Sequence, residues 1–318
     1  MDRLQLDKNA KLTGRVYFKD EVMWLGLSGS GASFTFDGTK LILKLKGDNI
    51  AVGDNPIDYA RIAVYVDGKR VVDEMIDCAE KEVMVIGRTE SAKSVVEIIK
   101  LSESPMSAIG IEAFTEGSAE ALPEKPLKIE FIGDSITCGY GVDDEDENHQ
   151  FTTATEDVTK AYAYKTAKAL DAEYSMFSAS GYGIVSGYTE GDEPISEQTI
   201  PQFYCSYGFS RGNFTGTAPQ DIPWDFSKYV PQIIVINLGT NDDSYCRDHK
   251  DRQAVFSKLY ADFLAVVREK NPQAYILCTV GIMGERIFPA VEEGIKIYLE
   301  SHADSKISSC LLYTSPSP

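Results

Sequence analysis

Apolar and polar residues alternate along much of the first ~115 positions, the period of a strand with one buried face. Leu41, Leu43 and Leu45 point one way, and Ile42, Lys44 and Lys46 the other. Residues 62–66 and 70–72 flank Asp67-Gly68, whose glycine accepts the positive φ of a tight turn, so this stretch predicts a hairpin. Residues 32–36, 82–86, 95–101 and 108–114 read as further short strands with turn residues between them. No convincing helix interrupts them, and the pattern predicts a β-sandwich over residues 1–120. Pro123 and Pro126, in the polar stretch 121–127, predict a stiff exposed connection.

The rhythm then changes. Residues 128–132, 174–177, 233–238 and 274–280 predict strands. The unbroken apolar run from Ile233 to Leu238 is typical of a parallel strand buried on both faces. Helices are predicted over 160–170, capped by Thr159, and over 252–269 and 289–301, the last opening on Pro289. Strands alternating with helices define an α/β domain with a mostly parallel sheet.

Function in such a sheet gathers at the carboxyl ends of the strands. Three of these ends carry chemistry: Gly133-Asp134-Ser135, Ser180-Gly181-Tyr182-Gly183, and Gly239-Thr240-Asn241-Asp242. A hydroxyl exposed on a tight turn suits a nucleophile, and the tetrahedral oxyanion it creates needs preorganised N–H donors. The backbone amides of Ser135 and Gly181 and the side-chain amide of Asn241 are suited to that task. Each fragment alone is a common turn; the three in this order, each at a strand end, point to ester cleavage. Asp134 and Asp242 read as acceptors that fix their loops. Trp224 and Tyr182, with Tyr188, Tyr204 and Tyr207, are either sugar-stacking residues or ordinary packing.

Charge narrows the partners. The net charge of −18 repels phosphate backbones, so nucleic acid is not expected, whereas a neutral sugar ester meets no such penalty. No apolar run approaches the ~20 residues of a membrane span, and no signal core follows Met1. The chain as given therefore reads as cytoplasmic; a shortened N-terminus would make it secreted. Six scattered cysteines read as free thiols, and no Cys/His spacing suggests a metal. Gly139-x-Gly141 lacks the third glycine of a dinucleotide fingerprint, and no cofactor is expected.

Gly-Asp-Ser, then Gly, then Gly-Thr-Asn-Asp resembles the pattern of SGNH (GDSL-type) hydrolases. The context Ile129-Glu130-Phe131-Ile132-Gly133-Asp134-Ser135-Ile136-Thr137-Cys138-Gly139-Tyr140-Gly141 is similar to carbohydrate esterase family 2. So are Phe151-Thr152-Thr153-Ala154-Thr155-Glu156-Asp157 and Trp224-Asp225-Phe226-Ser227-Lys228-Tyr229. The resemblance covers about residues 1–307. It implies an N-terminal jelly-roll joined to a flavodoxin-like hydrolase domain, and metal-free deacetylation of plant polysaccharides or oligosaccharides of the xylan, mannan or glucomannan type. It makes Ser135 the nucleophile and Gly181 and Asn241 oxyanion donors.

The general base of that family is a histidine near the C-terminus, and none of His149, His249 and His302 lies in the corresponding motif. His149 follows an acidic run, His249 lies in a polar stretch, and His302 ends a helix. The expectation is that the hydrolase domain, 128–307, is truncated before its histidine, that 308–318 is a non-native tail, and that this chain is nearly inactive. Two other readings are a glycan-binding protein with a hydrolase fold and an SGNH lipase or thioesterase.

Overall fold

The alternating pattern folds into nine strands of one antiparallel sheet. These are β1 (Asp2–Leu4), β2 (Lys11–Thr13), β3 (Val16–Lys19), β4 (Val22–Leu25), β5 (Gly31–Gly47), β6 (Ala60–Val66), β7 (Lys69–Ile76), β8 (Glu80–Lys100) and β9 (Ile109–Ala121). A single helical turn, α1 (Leu6–Asn9), separates β1 from β2. The structure is a computed structural model describing residues 1–146, 148–214 and 216–312. The order is β3-β4-β9-β5-β8-β6-β7, with β1 added on β9 and β2 on β5. The expected hairpin is β6–β7, turning at Asp67 and Gly68.

Two strands are longer than the alternation predicts. Residues 32–36 and 41–45 belong to one strand of 17 residues, and 82–86 and 95–101 lie largely within one of 21. Register shifts near Gly38 absorb the break in the pattern. Gly38 faces Gly117, and a Cβ on Gly38 would sit 2.4 Å from the Glu116 carbonyl oxygen, so both strands stay bare where they bend. Leu41, Leu43 and Leu45 are buried with Phe34, Phe36, Ile62, Val96 and Ile111 in the core that this sheet wraps.

The second domain contains β10 (Lys128–Gly133), α2 (Ser135–Cys138), α3 (Tyr162–Ala169), β11 (Glu173–Ser178), β12 (Ile233–Asn237), α4 (Thr240–Cys246), α5 (Lys250–Lys270), β13 (Tyr275–Gly281), α6 (Phe288–Ser301) and β14 (Ile307–Leu312). Its sheet is wholly parallel, in the order β11-β10-β12-β13-β14. Ile234 and Ile236 of β12 pack toward α5 and α6, and Ile233 and Val235 toward α3, as the continuous apolar run requires. Helix α3 starts at Tyr162 rather than Lys160. The preceding turn is capped by Asp157, whose carboxylate accepts the Thr159 amide, because an acceptor two residues upstream satisfies that donor better than Thr159 itself. Residues 308–312 pair in register with β13, from Ile276↔Ile307 to Gly281↔Leu312. The boundary expected between 307 and 308 therefore falls inside a strand; residues 313–318 of the expected tail lie outside the described residues. Among the described residues no helix is long and apolar enough to cross a membrane.

The two domains share buried surface. Ala63, Ile99 and Leu101 of the first pack with Ile129, Phe131 and Met176 of the second. Arg15, wholly buried, donates to the carbonyls of Tyr204 and Ser206 at 2.6 and 2.5 Å and pairs with Glu130 at 3.2 Å. Its guanidinium lies 4.4 Å from the centre of the Phe177 ring.

Candidate active site

Strand register sets the site. Gly133, the last residue of β10, pairs with Ser178 at the end of β11 and with Asn237 at the end of β12. The three loops that follow therefore leave the sheet at one level, and they carry Ser135, Gly181 and Asn241. Asp134 caps α2 by accepting the Ile136 amide at 3.1 Å. Ser135 is then the first residue of that helix, where a backbone N–H has no intrahelical partner. Its side chain is half-buried.

The other two loops touch. Asn241 Nδ2 donates to the Tyr182 carbonyl at 2.8 Å, which leaves its second N–H for another acceptor. Gly181 has φ +79°, a backbone that favours glycine, and nothing within 4 Å of a Cβ position. Asp242 is fully buried and accepts the amides of Ile184, Val185 and Ser186 at 2.9, 2.6 and 3.1 Å, which fastens the Gly181 loop to the start of α4. Burial pushes its carboxyl up to about 6 against the pull of those amides. Burial, with the charge of Asp242 adding to it, pushes Asp134 up to about 7.

The loops of Ser135, Gly181 and Asn241 thus leave one end of the sheet, the latter two in contact, and Trp224 does not lie there. It forms a wall with Tyr17, Phe18, Lys228 and Tyr229. The Tyr229 hydroxyl bonds the Ile129 carbonyl near the start of β10, so this wall belongs to the opposite end of the strands. Tyr182 packs against the stacked rings of Phe203 and Phe209, its ring centre 5.1 Å from that of Phe209. Tyr204 and Tyr207 are core residues whose hydroxyls bond Glu130 and the Trp24 carbonyl, and Tyr188 is exposed.

Each histidine is occupied elsewhere or exposed. His149 Nδ1 is 2.8 Å from Asp144 in the acidic loop. His302 stacks on Tyr298 at 4.4 Å and bonds its carbonyl. His249 is exposed ahead of α5. Among the described residues no histidine is hydrogen-bonded to Ser135.

Two features of the rim are not legible in the sequence as site residues. Tyr140, whose amide bonds the Ser135 carbonyl, stacks on Phe151 at 4.5 Å and stays 48% exposed. Glu103, from the first domain, accepts the Ser180 amide at 2.5 Å. Phe151 and Glu156, its buried neighbour, sit inside the segment that carries the resemblance, but nothing in the spacing connects either to Ser135.

The serine turn past β10 and the touching loops past β11 and β12 form one candidate rim. Residues 131–298 match the GDSL-like lipase/acylhydrolase family, and the chain belongs to it. Residues 12–126 match the N-terminal region of carbohydrate esterase 2. The chain is 34% identical over 260 residues to the cellulase/esterase CelE of Acetivibrio thermocellus, an alignment spanning 80% of this chain but 29% of that protein. It is 29% identical over 282 residues to an acetylxylan esterase / glucomannan deacetylase of Cellvibrio japonicus, spanning 86% of this chain and 72% of the relative. The fold matches that of the acetyl xylan esterase Est2A from Butyrivibrio proteoclasticus with a TM-score of 0.87, at 22% identity, over 98% of this chain and 90% of that one. It also matches a family two carbohydrate esterase from Clostridium thermocellum, in complex with cellohexaose, with a TM-score of 0.78, at 26% identity, over 95% and 88% of the two chains.

Proposed function

We propose that this protein is a serine esterase that removes O-acetyl groups from plant polysaccharides or their oligosaccharides, of the xylan, mannan or glucomannan type. The observation that supports the reading is the level ending of β10, β11 and β12, after which the Ser135 turn and the touching Gly181 and Asn241 loops follow. In this reaction Ser135 Oγ attacks the acetyl carbonyl. The charge that develops on the carbonyl oxygen is met by the amides of Ser135 and Gly181 and by the second N–H of Asn241. The sugar hydroxyl departs with a proton, and water then releases acetate from the seryl ester. The relatives named for acetylxylan esterase and glucomannan deacetylase activity support the substrate class.

Turnover by these 318 residues is expected to be slow, because a serine hydroxyl without a base is a weak nucleophile. Residual catalysis would rest on the oxyanion donors and substrate binding, about 10³–10⁴ over water in a well-studied case. The test is hydrolysis of 4-nitrophenyl acetate and acetylated xylan by the chain and by Ser135→Ala. Loss of the residual rate in the variant supports the reading; an unchanged rate refutes it. Faster cleavage of octanoate than acetate would favour a lipase. The engagement of His149 and His302 with other groups favours a second reading, a glycan-binding protein with a hydrolase fold, for which sugar binding without any Ser135-dependent cleavage is the signature.

A further inference from the structure

Beneath the Gly181 loop, where the two domains meet, lies a buried polar cluster that ester cleavage as written above does not use. Lys100, Glu103 and Glu156 are each 0% exposed. Lys100 Nζ donates to the carbonyls of Ser102 and Glu103 at 2.7 and 2.9 Å, and Glu156 Oε2 accepts the Glu103 amide at 2.9 Å. Lys100 and Glu103 come from the segment that ends β8, and Glu156 from the loop before α3. Glu103 and Glu156 each bury an Oε1 atom that has no hydrogen-bond partner. Burial pushes both carboxyls up, and the charge of Glu103 adds to the effect at Glu156, which stands well above the ordinary carboxyl range.

Glu103 Oε2 has two further partners, and both belong to the rim. It accepts the Ser180 amide at 2.5 Å, one residue before Gly181, and lies 3.8 Å from the Cys138 thiol in the helix that begins with Ser135, a thiol whose single hydrogen also has Ser178 Oγ within reach at 3.3 Å. Burial holds the Cys138 thiol well above its usual value, so it stays protonated and can donate. One carboxylate oxygen, supplied by the other domain, thus joins the nucleophile helix to the oxyanion loop. Stability alone does not call for this: apolar side chains of similar volume would fill the space at no loss, and an ionised carboxylate is costly to bury. What a carboxylate supplies and a hydrocarbon does not is direction, fixing an amide and a thiol against one point.

We infer that Glu103 is a positioning residue, which sets the spacing between the Ser135 hydroxyl and the Gly181 amide from the N-terminal domain. This rests on the esterase reading for its functional meaning, though not for its structural content. The experiment compares Glu103→Met, which fills the volume without an acceptor, and Glu103→Gln, whose oxygen still accepts the Ser180 amide. Glu103→Ala is made alongside. Hydrogen exchange over residues 179–187 is expected to quicken about tenfold in Met and Ala and to return most of the way in Gln. On 4-nitrophenyl acetate kcat is expected to fall about 10–100-fold in Met and Ala with KM within about twofold, and to recover in Gln. Parent-like exchange in a folded Glu103→Met overturns the inference, as does equal impairment of Met and Gln. Ser135→Ala is run in parallel: if its rate equals that of the parent the esterase reading fails, while the exchange comparison still decides the role of Glu103.

Discussion

Asp242→Ala isolates what the Gly-Thr-Asn-Asp loop does mechanically. The carboxylate accepts three amides, of Ile184, Val185 and Ser186, and both Ile184 and Ser186 are buried. Removing the acceptor leaves those donors unpaired. A buried donor without a partner costs about 1–3 kcal/mol, so two fully buried amides and one partly buried amide set a gross loss of about 3–9 kcal/mol. Two effects reduce it: the variant no longer buries a carboxyl, and water can enter the space left behind. A net loss of about 3–5 kcal/mol at pH 8 is the expected outcome. Asp242→Asn keeps one acceptor oxygen but turns an N–H₂ toward donors, so it should lose about 1–2 kcal/mol. Urea titration followed by tryptophan fluorescence gives both values by linear extrapolation. An Ala variant within about 1 kcal/mol of the parent would show that these amides are satisfied without the carboxylate, and that the Gly181 loop is not fastened in this way.

Asp134 and Asp242 also predict a pH dependence. Their folded values, about 7 and about 6, exceed those of an unfolded aspartate, so the folded chain keeps protons that the unfolded chain releases. Their contribution is full below about pH 4 and is lost as pH rises through about 6–7. Asp134→Asn should therefore flatten the fall in Tm between about pH 5 and 8; an unchanged slope would count against the assignment. Arg15→Ala removes every charged partner of Glu130 found among the described contacts and should cost about 3–5 kcal/mol in urea unfolding, as breaking a buried pair does. Gly181→Ala meets no atom within 4 Å and should cost only the left-handed strain of about 1–2 kcal/mol. Gly183→Ala would place a Cβ 2.2 Å from the Ser186 carbonyl oxygen and 2.6 Å from Asp242, so it should lower Tm much further; equal melting of the two would refute the packing argument.

The rim is readable where local pattern determines it. An unbroken apolar run fixes β12 as a central parallel strand, and the residues just past it must then lie beside those just past β10. Ser135, Gly181 and Asn241 follow from that alone. Trp224 misleads because an aromatic in a long insertion carries no mark of which end of the sheet it reaches; its wall with Tyr17 and Tyr229 depends on how the first domain docks. The long β5 and β8 look like pairs of short strands because the polar run near residues 88–94 imitates a turn, and only the bulge near Gly38 shows how pairing continues past it. Glu103 is invisible for a simpler reason. It lies 77 positions from the amide it holds, in another domain, within a run of serines that looks like any solvent loop.

The junction between the domains bears on how this enzyme fold can be cut and recombined. Pro123 and Pro126 invite a cut, yet a hydrolase domain expressed from there would bare Ile129, Phe131 and Met176 and strand Glu130 without Arg15. Such a minimal catalytic unit should aggregate or need its missing half supplied in trans. Swapping jelly-rolls among relatives would likewise succeed only when the donor brings its own Arg15 and Glu103 equivalents, so the modular unit for engineering is the pair.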